Sequence, residues 1–209
     1  LEQLFQRLFD PERGLGHTDR VGGQLGDQVW GLRAATCALA AGLGEVWRTR
    51  ALQLAQLLET TYGDPELGGY FDRAEGEELG RLRERIKPLP ENAVAAIALM
   101  ELDALLGDPE LGLRDRARRA LASVAGLARR HGILAAGFAR ALDRALREPV
   151  RIATANPELA RAALAVHPYA VIERADRGPT VVCVGTTCQP PTDDPERVAR
   201  ILEEAARLP

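Results

Sequence analysis

The sequence predicts a mainly α-helical fold: an array of αα-hairpins over residues 1–148, followed by a small α/β lobe over residues 149–209. Three observations carry that prediction. Apolar residues recur at helical spacing through the first part. Short Gly, Asp and Pro clusters punctuate them at intervals suited to helix ends. Beyond Pro149 the pattern changes to short β-prone runs alternating with helical ones. Aromatic residues make up only 4% of the chain, so the core must be Leu, Ala and Val, a composition that suits close-packed helices better than a sheet sandwich.

Residues 1 to 9 read as the tail of a helix, ended by Asp10-Pro11 and the glycine-rich stretch Gly14 to Gly26. Asp27 stands where an N-cap is expected, Val29, Leu32, Ala35 and Leu39 follow at helical spacing, and Gly42-Leu43-Gly44 closes the helix. A second helix is predicted over roughly Val46 to Tyr62, with Leu54, Leu57 and Leu58 on one face. The connection from Gly63 to Pro90 is long, holds a short extended piece at Gly68 to Asp72, and continues into an Arg/Glu-rich stretch; loops of this length are usually functional or flexible. Glu91 or Asn92 opens a third helix that runs to Leu106, a fourth covers Leu113 to His131, and a fifth Ile133 to Arg147. Helix, Gly/Asp turn, helix is the αα-hairpin plan, whose repetition builds solenoids or closed toroids.

After Pro149, Val150 to Ala153, Tyr169 to Glu173 and Thr180 to Val184 read as strands, and Pro157 to Val166 and Asp194 to Arg207 as helices. Strands alternating with helices predict parallel pairing.

A net charge of −3 leaves no broad basic field for nucleic acid or an anionic membrane. No run approaches the ~20 apolar residues of a membrane helix, and Leu1-Glu2-Gln3-Leu4 has no signal-peptide pattern. The expected location is cytoplasmic, and the absence of an initiator Met reads as a piece of a longer protein. Cysteines number 3, an odd count that suits a reducing compartment better than a disulfide scaffold. Without a second Cys pair, and with His17, His131 and His167 scattered, no metal site is expected. Nothing calls for a cofactor.

Three segments together resemble a known family. Cys183, Cys188, Gln189, Pro190, Pro191, Thr192, Pro195 and Glu196 match its closing "Cys, four residues, Cys-Gln-Pro-Pro-Thr, Pro-Glu" element. Gly68-Gly69-Tyr70-Phe71-Asp72 followed by Asn92-Ala93-Val94-Ala95-Ala96 matches an internal pair, and Leu25-Gly26-Asp27-Gln28 a helix start. In family order from about residue 10 to the end, they resemble the C-terminal part of the thioredoxin-domain-containing (spermatogenesis-associated protein-like) family. That resemblance implies a helical toroid similar to N-acylglucosamine 2-epimerase and the six-hairpin glycosidases, here a partial α/α toroid. It implies a role in carbohydrate metabolism, a small carbohydrate ligand, and either a homo-oligomer or a missing N-terminal region to complete the ring. Gly26-Asp27 stands where the family usually has two acids, and Leu89-Pro90-Glu91-Asn92 where it has Pro-Ser-Gly-Asn.

Asp27 and Asp72 are the candidate catalytic acids, because glycoside hydrolysis needs two carboxylates about 5 to 10 Å apart; their local alternatives are an N-cap and a turn residue. Trp30, Tyr70 and Phe71 are candidate ligand-stacking residues, with Trp47 beside them, although aromatics at such positions are more often core. Asn92 is a candidate ligand contact or a helix cap. Cys183 and Cys188 could form a disulfide, bind metal or sit as free thiols; the sharper reading is a redox pair, the simpler one small buried side chains fixing the strand-to-helix turn. His17 and Arg20 read as loop residues, and Arg81, Arg83, Arg85 and Lys87 as a solvated face. The function classes left open are a carbohydrate-active or epimerase-like domain, a non-catalytic interaction or regulatory module, and a redox-linked module.

Overall fold

The computed structural model of the chain describes residues 1–76, 80 and 84–207. It is mainly helical with a small sheet portion. Helix α1 (Glu2–Leu8) leads into a short antiparallel ribbon, β1 (Phe9–Asp10) with β2 (Gly14–Leu15). Then follow α2 (Leu25–Ala40), α3 (Val46–Leu57), α4 (Leu89–Leu106), α5 (Leu113–His131) and α6 (Ala136–Leu146). The second predicted helix continues past Leu57 only as a wider π-type turn, Leu58–Tyr62. The fifth opens with a tight 3₁₀ turn, Gly132–Ala135, that leaves Ile133 89% and Leu134 77% exposed.

Helix α4 is apolar all round, with Ala93, Ala95 to Met100 and Leu102 at 5% exposure or less, and such a helix must lie inside. It packs against α2, α5 and α6, and touches the lobe through strands described below. Its ends are set locally: Pro90 lies in the first turn, and Gly107 takes the left-handed C-terminal position at φ 61°. Helices α2, α4 and α6 form one layer, with α3 against α2 and α5 against α4. The main core runs from Phe5 to Ala145.

A second hydrophobic cluster begins at Val150 and ends at Ala205. Its sheet comprises β3 (Val150–Thr154), β4 (Val171–Arg174), β5 (Val181–Val184) and β6 (Thr187–Cys188) in the order β4-β3-β5-β6. Only β3 and β4 are parallel, joined through α7 (Pro157–Val166); β5 and β6 run antiparallel, so the sheet is mixed rather than parallel as expected. Asn156 caps α7, its Oδ1 accepting from Glu158 N at 2.9 Å and Leu159 N at 3.2 Å. Helix α8 (Pro195–Arg207) covers the same sheet face as α7, burying Val198 and Leu202 beside Val150, Ile152 and Val182. The other face turns toward α4.

No helix among the described residues is long and apolar enough to cross a membrane.

Candidate functional site

The start of α2 holds Asp27 and receives the backbone of Asp72. Asp27 occupies the third helical position, not the N-cap, which is Gln24. Its Oδ2 accepts from Gln24 N at 2.9 Å, closing a capping box, while its Oδ1 lies 3.1 Å from His17 Nδ1. Asp72 meets the same helix end through its backbone, its carbonyl accepting from Leu25 N at 3.0 Å, and its Oδ1 accepts from Ile86 N at 3.1 Å. The carboxylates therefore hold the start of α2 and the incoming loop. Gln28, fully buried, does similar work on Leu15, accepting from its N and donating to its O at 2.8 Å each. A neighbouring cleft of about 560 Å³ is lined by Arg13, Arg20 and Tyr62 but not by either acid.

Asn92 lies inside the protein at 0% exposure. Its Oδ1 accepts from Tyr70 N at 2.8 Å, and its Nδ2 donates to Tyr70 O and Pro88 O at 2.9 Å each. It is a clamp between the long loop and α4 rather than a helix cap, with its amide oxygen and nitrogen both occupied. Gly69 makes the clamp feasible: its φ is +76°, and a Cβ there would meet Ser123 Oγ at 2.0 Å. Tyr70 is buried as well, donating to Glu59 Oε1 at 2.6 Å while Arg116 Nε donates to the same oxygen at 2.7 Å. Burial and the Glu59 carboxylate push the Tyr70 hydroxyl far above its usual range.

Phe71 lies under Arg85 and Lys87, at 4.2 and 5.3 Å from its ring centre. Lys87 is not on a solvated face: its Nζ donates to Gly68 O at 2.6 Å and pairs with Asp64 at 2.7 Å, both side chains 12% exposed. Arg81 and Arg83 lie outside the described residues. Trp47 belongs to the core, edge-on to Phe5, whereas Trp30 is 55% exposed with Arg33 at 5.8 Å from its ring. The expected stacking residues thus divide, and only Trp30 faces broadly outward.

The cysteines overturn the expectation of small buried thiols. Cys183 and Cys188 are joined by a disulfide. They face each other in register across β5 and β6, which the two residues Gly185 and Thr186 connect, with Gly185 at φ 58°. Gln189 N donates to Val182 O at 2.8 Å, so the cysteines occupy the adjacent non-hydrogen-bonded pair, where side chains of opposite strands approach most closely. Cys183 is 5% exposed and Cys188 open to solvent. Arg151, opposite Cys183 in the β3–β5 register, places Nη2 3.6 Å from Cys183 Sγ and donates from Nη1 to Glu173 Oε2 at 2.9 Å.

This hairpin forms one wall of a cleft of about 540 Å³. The opposite wall is the end of α4 and the turn after it, Asp103 to Pro109, with Arg114 from α5. Burial raises the Asp103 carboxyl against the pull of Arg114. The cleft therefore sets a half-exposed disulfide beside a guanidinium at the junction of the helical layers and the lobe.

Sequence reasoning missed three groups. Arg151 was legible only as an outward position of a strand. Glu101 of α4 takes Arg33 of α2 and Arg144 of α6 on its two oxygens, each at 3.4 Å, a pairing across helices that no local spacing reveals. His167 is 2% exposed with Nδ1 unpartnered, and burial, reinforced by Arg147 and Arg144, lowers its pKa. No group of His, Cys, Asp and Glu suited to a metal ion occurs among the described residues. A scan of protein-family models gives no match to the chain, and no curated protein matches it.

Proposed function

We propose that this chain is a redox-linked module whose working element is the Cys183–Cys188 pair, exchanging electrons with a dithiol partner by thiol–disulfide exchange. The observation that carries the reading is the environment of the disulfide: an exposed sulfur residue on one side, and an arginine against the other. A partner thiolate attacks Cys188 Sγ, the S–S bond breaks, and its electron pair goes to Cys183 Sγ beside Arg151. The partner's second thiol, losing its proton, then attacks the mixed disulfide and releases the Cys188 thiolate. The partner ends as a disulfide, two electrons and two protons poorer, and Cys183 and Cys188 end as thiols. Such exchange quickens as the leaving thiol's pKa falls, and a neighbouring cation lowers it.

The resemblance to the thioredoxin-domain-containing family supports this reading, since the N-terminal thioredoxin-like domain of that family is a dithiol of the right class. The expected cytoplasmic setting supports it too, because disulfides there are usually catalytic or sensing. We read α2, α4 and α6 as the inner wall and α3 and α5 as the outer wall of a partial toroid, continued beyond α6 by a further region or a second copy. The carbohydrate-active reading has less behind it, since the oxygens of Asp27 are both occupied and Asp72 holds backbone.

The test is alkylation trapping after equilibration with dithiothreitol or glutathione at graded potentials, followed by mass measurement. Cys183 and Cys188 are expected to cycle together and reversibly. Arg151→Gln should slow reduction several-fold, whereas Glu173→Gln, which breaks the same ion pair but keeps the charge beside sulfur, should not. A pair that stays oxidised in excess dithiothreitol, or equal rates in the two variants, would overturn the proposal.

A further inference from the structure

The layer formed by α2, α4 and α6 has one side covered by α3 and α5; strand β4 of the lobe packs against α2 and α4, and Trp30, Cys37 and Arg140 are left exposed. On α2 the open stripe is Trp30, Arg33 and Cys37, spaced by three and four residues so that they share a face. On α6 it is Gly137 and Arg140; Arg144 and, on α4, Glu101 lie beneath it, their side chains 12% and 15% exposed. The Arg33–Glu101–Arg144 bridge ties these stripes together, which places their side chains on the same side of the layer.

The charges there do not balance. Arg33, Arg140 and Arg144 supply three positive charges against the single carboxylate of Glu101; Asp143, the next acid on α6, is taken by Arg147 at 3.0 Å. Burial lowers the Arg144 guanidinium, and Arg33 and Arg140 add to that effect against the pull of Glu101. The bridge itself is loose, at 3.4 Å on both arms, and uses one N–H group of each arginine. An arginine carries five N–H donors, so most of the donor capacity of the cluster is unspent. Beside it stands Trp30, 55% exposed, with a ring face already visited by Arg33. Tyr169 of the lobe closes the far end, 5.9 Å from the Arg144 guanidinium. Cys37 adds no chemistry, since burial and Glu101 raise its pKa and keep the thiol protonated.

We propose that this face binds a small ring-bearing anion, its phosphate or carboxylate held by Arg33 and Arg144 and its ring laid on Trp30. Two guanidiniums flanking one carboxylate can turn their free edges to the same anion, as planar forks suited to phosphate and carboxylate oxygens. An indole face adds stacking for a flat or apolar ring. The site lies on the helical layer and is independent of the disulfide chemistry proposed above.

Phenyl phosphate, inorganic phosphate and phenol are the probes, titrated into the full chain by calorimetry and by tryptophan emission. Trp47, 4% exposed, should stay silent, so the emission change reports Trp30 and disappears in Trp30→Phe. Phenyl phosphate is expected to bind at least tenfold more tightly than either fragment. Arg33→Gln should weaken it about tenfold or more, and Glu101→Gln should tighten it several-fold by releasing both arginines. Rising salt should weaken it. If Arg144→Gln does not fold, Arg140→Gln, at an exposed position, takes its place with a smaller loss expected. The idea is overturned by the absence of saturable phenyl phosphate binding at millimolar concentration. Binding indifferent to Arg33→Gln, or weakened by Glu101→Gln in a folded protein, would overturn it equally by leaving the cluster a cross-link between helices.

Discussion

The helical layers and the α/β lobe spend their polar side chains differently. In the helical region the residues that look chemical, Asp27, Asp72, Gln28 and Asn92, are consumed in holding loop backbone to helices. In the lobe the sheet face turned toward α4 leaves Arg151 and the Cys183–Cys188 pair at a cleft, with one cysteine open to solvent. The cause is topological. A connection such as residues 63–76 carries many N–H and C=O groups that lack ladder partners, and buried ones must be satisfied by nearby side chains. A two-residue hairpin satisfies its own backbone, which frees its side chains.

Asn92→Ala breaks the helical half of this comparison most directly. It removes two buried hydrogen bonds and one part-buried one, and leaves the N–H and C=O of Tyr70 without partners. Unsatisfied buried polar groups cost about 1 to 3 kcal/mol each, so a loss of about 3 to 5 kcal/mol is expected in urea unfolding. A loss under about 1 kcal/mol would mean that the clamp is not what holds the loop, and would return Asn92 to the ligand candidates.

The same difference decided what the sequence disclosed. The punctuation Gly107-Asp108-Pro109 was readable, and α4 ends beside it while α5 begins at Leu113 as the spacing predicts. Pro157 and Val166 bound α7 as the spacing predicts. The clamp role of Asn92 was hidden because its partner is 22 residues away, and the Arg33–Glu101–Arg144 bridge because it depends on how three helices register. The disulfide was one of three states left open for Cys183 and Cys188, and the odd cysteine count weighed against it, although two residues between paired strand positions, the first a glycine, is a hairpin signal. Strand direction also failed, because β5 returns beside β3 as an antiparallel neighbour while only β4 arrives through a helix.

Whether the two regions are also two folding units can be read from their separate cores. Leu202, fully buried in the lobe, should cost about 3 kcal/mol on replacement by Ala. Both tryptophans, Trp30 and Trp47, lie in the helical region, so tryptophan emission follows that region alone. Leu202→Ala is expected to leave the emission-detected transition in place and to speed amide exchange in β3 and α8. Leu99→Ala, a change of similar size in the main core, should move the emission transition. A common shift of both signals in both variants would show one cooperative unit, and the boundary near residue 148 would then divide architecture without dividing stability.

The smallest expected effect concerns the seam itself, where His167 sits against Tyr169 and faces Arg144 of α6 and Arg147 just beyond its end. Its pKa in the folded protein is lowered from 6.5, first by burial and then by those two cations. The unfolded chain therefore takes up the proton before the folded one as pH falls. By linkage, the contribution of His167 to stability is complete above about pH 6.5 and declines as pH drops toward the lowered folded value. Asp143, held below the usual carboxylate range by the Tyr169 hydroxyl and then by Arg147, stays ionised throughout this window and cannot produce the decline. The native protein should lose stability between pH 7.5 and about pH 5.5, and His167→Leu should flatten that loss while keeping the side chain's packing volume. An equal slope in the two proteins would place the pH dependence elsewhere, and would mean that the orphaned Nδ1 finds a partner when it is protonated.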